Sequence, residues 1–242
     1  MSANPAPRSA PPRTATQDSL LLKDIFQSID AQSCPKTYNF HMHTHCSDGR
    51  LSPEELMTQA LEIGLKGLAI TDHHTLKAYD RARQWMEDWQ WRNPSHWGRK
   101  AKKVLPRLWT GVEITSLLAG TEVHILGYAF DSKHPIILPY LQHTAPRGEE
   151  KQAARVIAAI QAAGGLAVLA HPVRYRTAED ILIHAAADLN IDGVETYYAY
   201  DNPPVWRPSP GKTQRVMALA SQRQLLSSCG TDTHGMVLTR RI

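Results

Sequence analysis

The sequence predicts an α/β fold in which strands and helices alternate and close as a barrel. Strand-length apolar runs alternate with segments of helical periodicity along most of the 242 residues. Residues 67–71 and 166–170 are almost continuously apolar, as in strands of a parallel sheet covered on both faces. Strand after strand also ends in a histidine or an acidic residue. These are His41 and His43, His73, Glu113, His124, His171, Glu195, and Asp232 with His234. In barrels of alternating strands and helices, sites are built at the carboxyl ends of the strands.

The elements follow in order. A short helix is expected over 20–29, where Leu21, Leu22, Ile25, Phe26 and Ile29 fall at helical spacing. The first strand is 38–43. Ser52-Pro53-Glu54-Glu55 then opens a helix, with Ser as N-cap, Pro in the first position and Glu in the third. Leu56, Met57, Ala60, Leu61 and Ile63 give its buried face, and Gly64 its stop. The second strand, 67–71, leads to a helix over 76–91, in which Trp85, Trp89 and Trp91 read as packing residues. Residues 93–106 form a basic, irregular loop. The third and fourth strands, 108–114 and 122–128, are joined by a hairpin-like turn at 116–121. A Pro-containing stretch leads to a helix over 149–163, stopped by Gly164-Gly165. Strands 166–170, 192–197 and 226–230 complete the set, separated by helices over 178–188 and 212–224.

Composition narrows the classes. No apolar run approaches the ~20 residues needed to span a bilayer, so no membrane-spanning helix is expected. Residues 1–19 are rich in Pro, Ala, Ser, Thr and Arg and lack the apolar core of a secretory signal. A disordered tail fits them better than a transit peptide. Residues 20–37 form a helix and linker, and 38–242 the folded domain. The formal charge of +4 suits an anionic substrate without demonstrating nucleic-acid binding. Cys34, Cys46 and Cys229 show no paired spacing, so a reducing cytoplasm is expected. Cys46 and Cys229 would be neighbours if the first and last strands meet. No obligate protein partner is evident.

His41 and His43 are two apart, so in a strand their imidazoles project from one face. Neutral imidazole is a common ligand for Zn, Mn and Fe. Asp48 lies in a Ser47-Asp48-Gly49 turn that can fold back over the strand end. Taken alone, such a pair is weak, since surface or core histidines are the commoner reading. Repetition at successive strand ends is what carries the metal assignment.

The motifs His41-Met42-His43 with Asp48-Gly49, Thr71-Asp72-His73, Gly111-Val112-Glu113, Glu122-Val123-His124-Ile125-Leu126-Gly127-Tyr128, Ala170-His171-Pro172 and Gly230-Thr231-Asp232-Thr233-His234-Gly235 resemble those of the PHP (polymerase and histidinol phosphatase) family. They run from about residue 38 to 235. The resemblance implies a distorted seven-stranded (β/α)7 TIM-like barrel, two to three divalent ions (Mn, Zn or Fe) in a trinuclear centre, and phosphoesterase chemistry through a metal-bridging hydroxide. It is strongest to small stand-alone members of the nucleoside 3',5'-bisphosphate phosphatase and 5'-3' exoribonuclease type. By motif, one ion would take His41, His43, Glu113 and Asp232. A second would share Glu113 and take His124 and His171, and a third would take Asp48, His73 and His234. Glu113, Asp232 and Arg174 would be catalytic. Arg174, three residues after His171, resembles the family's phosphate-binding Arg, and its planar fork suits a phosphate; its other reading is a surface Arg.

Neighbouring residues get plainer readings. His74 should point away from the ligands, His45 should sit outside them, and Glu195 should support a ligand rather than be one. His96, His134, His143 and His184 read as ordinary. The region 131–150 is short where similar members carry a helical insertion, which implies a more open site. Only seven residues follow Gly235, which leaves little for a closing helix. The expected substrate is a small phosphorylated molecule, a nucleotide or short oligonucleotide. The alternatives are a histidinol-phosphatase-like phosphomonoesterase or a non-catalytic metal-binding barrel. Nine filled ligand positions argue against the last.

Overall fold

The computed structural model describes residues 18–93 and 103–242. The tail expected over 1–19 lies outside them except for Asp18 and Ser19, and so do His96 and most of the basic loop. The described residues open with helix α1 (Ser19–Ser28), whose N-terminus is capped where the Asp18 carboxylate accepts from Leu21 N at 3.0 Å. Leu22 and Phe26 on its inner face are fully buried. Burial of each contributes about 1.5–3 kcal/mol.

Strand β1 (Tyr38–Asn39), helix α2 (Pro53–Ile63), strand β2 (Gly67–Ala69), helix α3 (Lys77–Arg92) and strand β3 (Arg107–Trp109) make the first half. β1, β2 and β3 pair in parallel in that order. The capping box expected at Ser52 is present. Ser52 Oγ accepts from Glu55 N at 3.2 Å, while Ser52 N donates to Glu55 Oε2 at 2.8 Å. Gly64 ends α2 with φ +80°, the left-handed turn its lack of a side chain permits.

The second half contains β4 (Gly111–Leu118), β5 (Thr121–Tyr128), α4 (Ala153–Ala162), β6 (Leu166–Leu169), α5 (Glu179–Asp188), β7 (Gly193–Tyr197), α6 (Pro210–Gln222) and β8 (Leu226–Cys229). These strands form one sheet in sequence order. β4–β5 and β5–β6 are antiparallel, and β6–β7 and β7–β8 are parallel. β4, β5 and β6 pack on α4, α5 and α6 through an aliphatic core that includes Val112, Ile125, Ile157 and Leu182. Met42, Leu56, Leu68 and Tyr79 form the corresponding core under α2 and α3.

The expected α/β class is borne out, but a closed seven-stranded barrel is not shown. The strand expected over 108–114 breaks at Thr110, whose hydroxyl donates to Phe130 O at 2.9 Å. Two sheets of three and five strands result. Their margins meet through short runs of backbone hydrogen bonds. Phe40 N donates to Cys229 O and His43 N to Thr233 O, both at 3.0 Å, and isolated bridges join Met42 to Thr233 and His73 to Glu113. The first strand is shorter than expected because residues 40–43 pair only through isolated bonds, with Cys229 and Thr233 on one side and, through Thr71 N to Met42 O at 2.9 Å, with the chain beyond β2 on the other. The helix expected over 149–163 is interrupted by extended Gln152, which leaves a 3-10 turn (Gly148–Lys151) before α4. Cys229 sits in the core beside Cys34, not Cys46, and all three thiols are free. Among the described residues no helix is long and apolar enough to cross a membrane.

Candidate metal centre

The margins between the sheets carry the cluster. The chain leaving β1 is extended, so His41 and His43 share a face as alternation requires. Both are buried, and their Nε2 atoms lie 3.2 Å apart. Gly230, beyond β8, makes room for them: a Cβ there would sit 2.1 Å from His41 Cβ. Gly49 does the same at the turn carrying Asp48, where a Cβ would lie 2.5 Å from the His43 carbonyl. That turn is tied down by buried Asp72. Its carboxylate accepts from Thr44 N at 2.7 Å, Thr44 Oγ1 at 2.6 Å and Ser47 Oγ at 2.6 Å.

Glu113, on β4, is the hub. Its Oε2 lies 3.1 Å from His41 Nε2, 3.0 Å from His43 Nε2 and 3.7 Å from His73 Nε2. Its Oε1 lies 2.7 Å from His124 Nδ1 and 3.3 Å from His171 Nε2. Asp232 Oδ1 is 3.4 Å from His41 Nε2 and 3.3 Å from His43 Nε2. Half-exposed Asp48 reaches His43, His73 and His234 at 3.4, 3.6 and 3.2 Å. The nine ligand candidates therefore converge on one place.

Among the described residues, three groups bring their donor atoms within 4.8 Å of one another: His41, His43, Glu113 and Asp232; His43, Asp48, His73 and His234; and His73, Glu113 and His124. The first is the foursome expected by motif. The second adds His43 to the expected three. The third holds His73 where His171 was expected, although His171 still approaches Glu113.

The donor set fits cations better than protons alone. His43 Nδ1, His124 Nδ1, His171 Nδ1 and Glu113 Oε1 are buried without a hydrogen-bond partner. His124 Nδ1 and Glu113 Oε1 are close, but their alignment makes no hydrogen bond. Buried polar atoms are normally paired, and His124 Nδ1 and Glu113 Oε1, 2.7 Å apart without a hydrogen bond, are lone-pair donors that a metal ion would satisfy.

Charge points the same way. Burial pushes the Glu113 carboxyl up, but His124 and His41 hold it well below the usual carboxylate range. Asp232 is likewise held low against burial by His41 and His43. Burial opposes a charged His41, yet Glu195, Glu113 and Asp232 raise it well above its ordinary value. His43 is raised to about 10, against its own burial, by Asp232 and Glu113. His73, where burial dominates, falls to about 4. Positive charge is thus drawn to the His41–His43 end of the cluster.

His171 and Asp232 have positive φ, +27° and +51°. Such conformations cost about 1–3 kcal/mol in a non-glycine residue and collect at functional sites.

Residues 39–172, more than half of the chain, match the PHP domain. The chain belongs to the PHP domain family. Over 107 residues this PHP chain is 37% identical to a 5'-3' exoribonuclease of Haemophilus influenzae, a match covering 44% of this chain and 34% of the relative. Over 116 residues it is 35% identical to the 5'-3' exoribonuclease Rnm of Escherichia coli, covering 48% and 35%. The match spans about a third of the length of these curated relatives. The fold is similar to that of a candidate metal-dependent phosphoesterase from Bifidobacterium adolescentis, with a TM-score of 0.62 and 22% identity over 84% of this chain and 89% of that one. It is also similar to an amidohydrolase from Chromobacterium violaceum, with a TM-score of 0.66 and 19% identity over 85% and 90%.

Residues around the ligand candidates of this PHP domain fall partly as expected. Glu195 is buried; its Oε1 lies 2.9 Å from His41 Nδ1 and its Oε2 accepts from His171 N at 2.9 Å. His74 turns away to Thr115 Oγ1 at 3.1 Å, and His45 lies 2.7 Å from Arg81 Nη1, away from the ligands. Arg174 is at the site, donating from Nη1 to Asp232 Oδ2 at 2.9 Å. Two residues the sequence did not single out join it. Tyr198 OH donates to the same oxygen at 2.6 Å, and Arg241 Nε donates to it at 3.0 Å. Tyr198 lies three residues beyond Glu195, a strand-end position that could have flagged it. Arg241 lies in a stretch without periodicity, and nothing local marks it.

Proposed function

We propose that this chain is a metal-dependent phosphoesterase that binds two to three Mn, Zn or Fe ions around Glu113 and hydrolyses nucleoside phosphates or oligonucleotide ends. The observation that carries the reading is the convergence of His41, His43, His73, His124 and His171 on one buried carboxylate. Mixed imidazole and carboxylate donors suit these ions better than Ca or Mg. The exoribonuclease relatives favour nucleotide-bearing esters over other phosphate esters.

Divalent ions bound there would activate water near neutral pH and offset phosphate charge. The chain's own part is to position. Glu195 fixes the His41 ring, leaving Nε2 toward Glu113 and Asp232. Asp232 divides its oxygens, with Oδ1 on the histidines and Oδ2 on Tyr198 and Arg174. Arg174 keeps its other guanidinium nitrogens for a phosphate oxygen, and its side chain is 40% exposed. Asp72 holds the turn that presents Asp48.

The test is phosphate release from a panel of nucleoside monophosphates and bisphosphates, a 5'-phosphorylated oligonucleotide and histidinol phosphate. The protein is loaded with Mn or Zn and its metal content measured. Turnover of the nucleotide esters is expected. Preference for histidinol phosphate would move the substrate class to a small phosphomonoester. A metal-loaded protein that hydrolyses none of them would refute the reading.

A further inference from the structure

We infer that Arg241 is a second phosphate-recognising residue, which binds the substrate's phosphate together with Arg174; the inference rests on the phosphoesterase reading above. Asp232 Oδ2 accepts from Arg174 Nη1 at 2.9 Å, from Arg241 Nε at 3.0 Å and from Tyr198 OH at 2.6 Å. Arg241 Nε also donates to Tyr198 OH at 3.0 Å. One carboxylate oxygen therefore faces two guanidinium cations, while its sister oxygen faces the metal-capable histidines.

The charge does not balance. Asp232 brings one negative charge against two guanidinium positives, and bound ions would draw on the same carboxylate. Arg174 engages the anchor through one nitrogen and Arg241 through Nε. Most of their N–H donors have no described partner. Both side chains are solvent-accessible, Arg174 40% and Arg241 21% exposed, so an anion can reach them. Two guanidinium forks that meet on one carboxylate oxygen beside the histidine cluster match the several oxygens of a phosphate.

The backbone explains why Arg241 is there. Beyond His234 the chain curls back, and His234 N donates to Arg241 O at 2.6 Å. Leu238 is buried against α2 and its N donates to Gln59 Oε1 at 2.8 Å, while Gln59 Nε2 donates to Met236 O at 3.0 Å. Gly235 lets the returning chain close, since a Cβ there would lie 2.8 Å from the Ile242 carbonyl carbon. None of these contacts uses the Arg241 side chain, so replacing it leaves the curl in place.

The experiment is calorimetric titration of inorganic phosphate into the metal-loaded full chain and its R241A, R241K and R240A variants. Metal content and melting temperature are measured on each. R240A removes the same charge from the exposed neighbour. R241A should weaken phosphate binding by roughly tenfold or more, the scale of a hydrogen bond to a charged group, with metal content unchanged. R241K should recover only part of it, and R240A should match wild type. Phosphate binding within about twofold of wild type in R241A would overturn the inference. So would a loss of metal in R241A that R241K restores, because Arg241 would then serve only to position Asp232. If the loaded wild type hydrolyses no ester yet binds phosphate through Arg241, the phosphoesterase reading fails and the anion site stands.

Discussion

Replacing Glu113 by Gln keeps the shape of the hub and removes its charge. Five imidazole nitrogens lie 2.7–3.7 Å from its two oxygens. Gln also turns one of those oxygens into an N–H donor aimed at ring nitrogens that need acceptors or cations. At an effective dielectric of about 20, one unit charge some 4 Å away is worth about 4 kcal/mol. That corresponds to roughly a thousandfold in rate if it falls wholly on the transition state. We therefore expect kcat/KM for the best phosphate ester to drop by about three orders of magnitude in E113Q. Metal content should fall as well, because Glu113 belongs to two of the three donor groups. Far-ultraviolet circular dichroism should show an intact fold. The assay is phosphate release across a Mn titration, with elemental analysis on the same samples. Turnover within about tenfold of wild type in a metal-replete sample would refute the hub assignment.

Other consequences can be checked on the same protein. With its value raised from 6.5 to about 10, His43 is protonated at pH 7 in the metal-free protein, so metal uptake should release protons and tighten with rising pH; buffer-dependent binding heats would reveal it, and zero proton release would contradict it. The same raised value stabilises the metal-free fold fully below pH 6.5, and that contribution is lost as pH rises through about 10. Chemical denaturation of chelated protein at pH 6, 8 and 10 should therefore show declining stability. Glu195→Gln should weaken metal affinity by about 10–100-fold through the freed His41 ring, and an unchanged dissociation constant would show that the ring needs no such support. Gly230→Ala places a Cβ 2.1 Å from His41 Cβ, and should cost about 1–3 kcal/mol in a melting experiment, with loss of metal.

Local chemistry made much of this legible. Ser52 and Gly64 bounded α2 because a cap and a left-handed stop are written in single residues. The His41–His43 pair followed from alternation, and the strand-end acids and histidines did meet. What escaped depends on contacts far apart in sequence. The break at Thr110 is set by a hydroxyl reaching Phe130, twenty residues on, and no periodicity records it. Cys34 meets Cys229 because α1 packs against β8, not because the cysteines have a paired spacing. Strand order brings His73, as well as His171, within 4 Å of Glu113, so the grouping of these donors was not readable from motifs alone. Arg241 reaches Asp232 only because Leu238 and Gln59 pull the returning chain onto α2.

The two sheets touch through short runs of backbone hydrogen bonds at the segments that carry His41, His43, His73 and Glu113. Ions seated there would stitch one sheet to the other, since the first three of those residues follow strands of the smaller sheet and Glu113 lies on the larger. Stripped of ions, the seam keeps its backbone hydrogen bonds and the pull of the buried carboxylates on His41 and His43, but loses the cross-links that ions would add. If it parts, two strand margins with unpaired amides face solvent, and such margins recruit other chains. Chelated protein warmed gently is therefore expected to clump before its helices melt. Light scattering that rises ahead of the loss of ellipticity, and that Mn or Zn suppresses, would mark a bound ion as a guard against self-association.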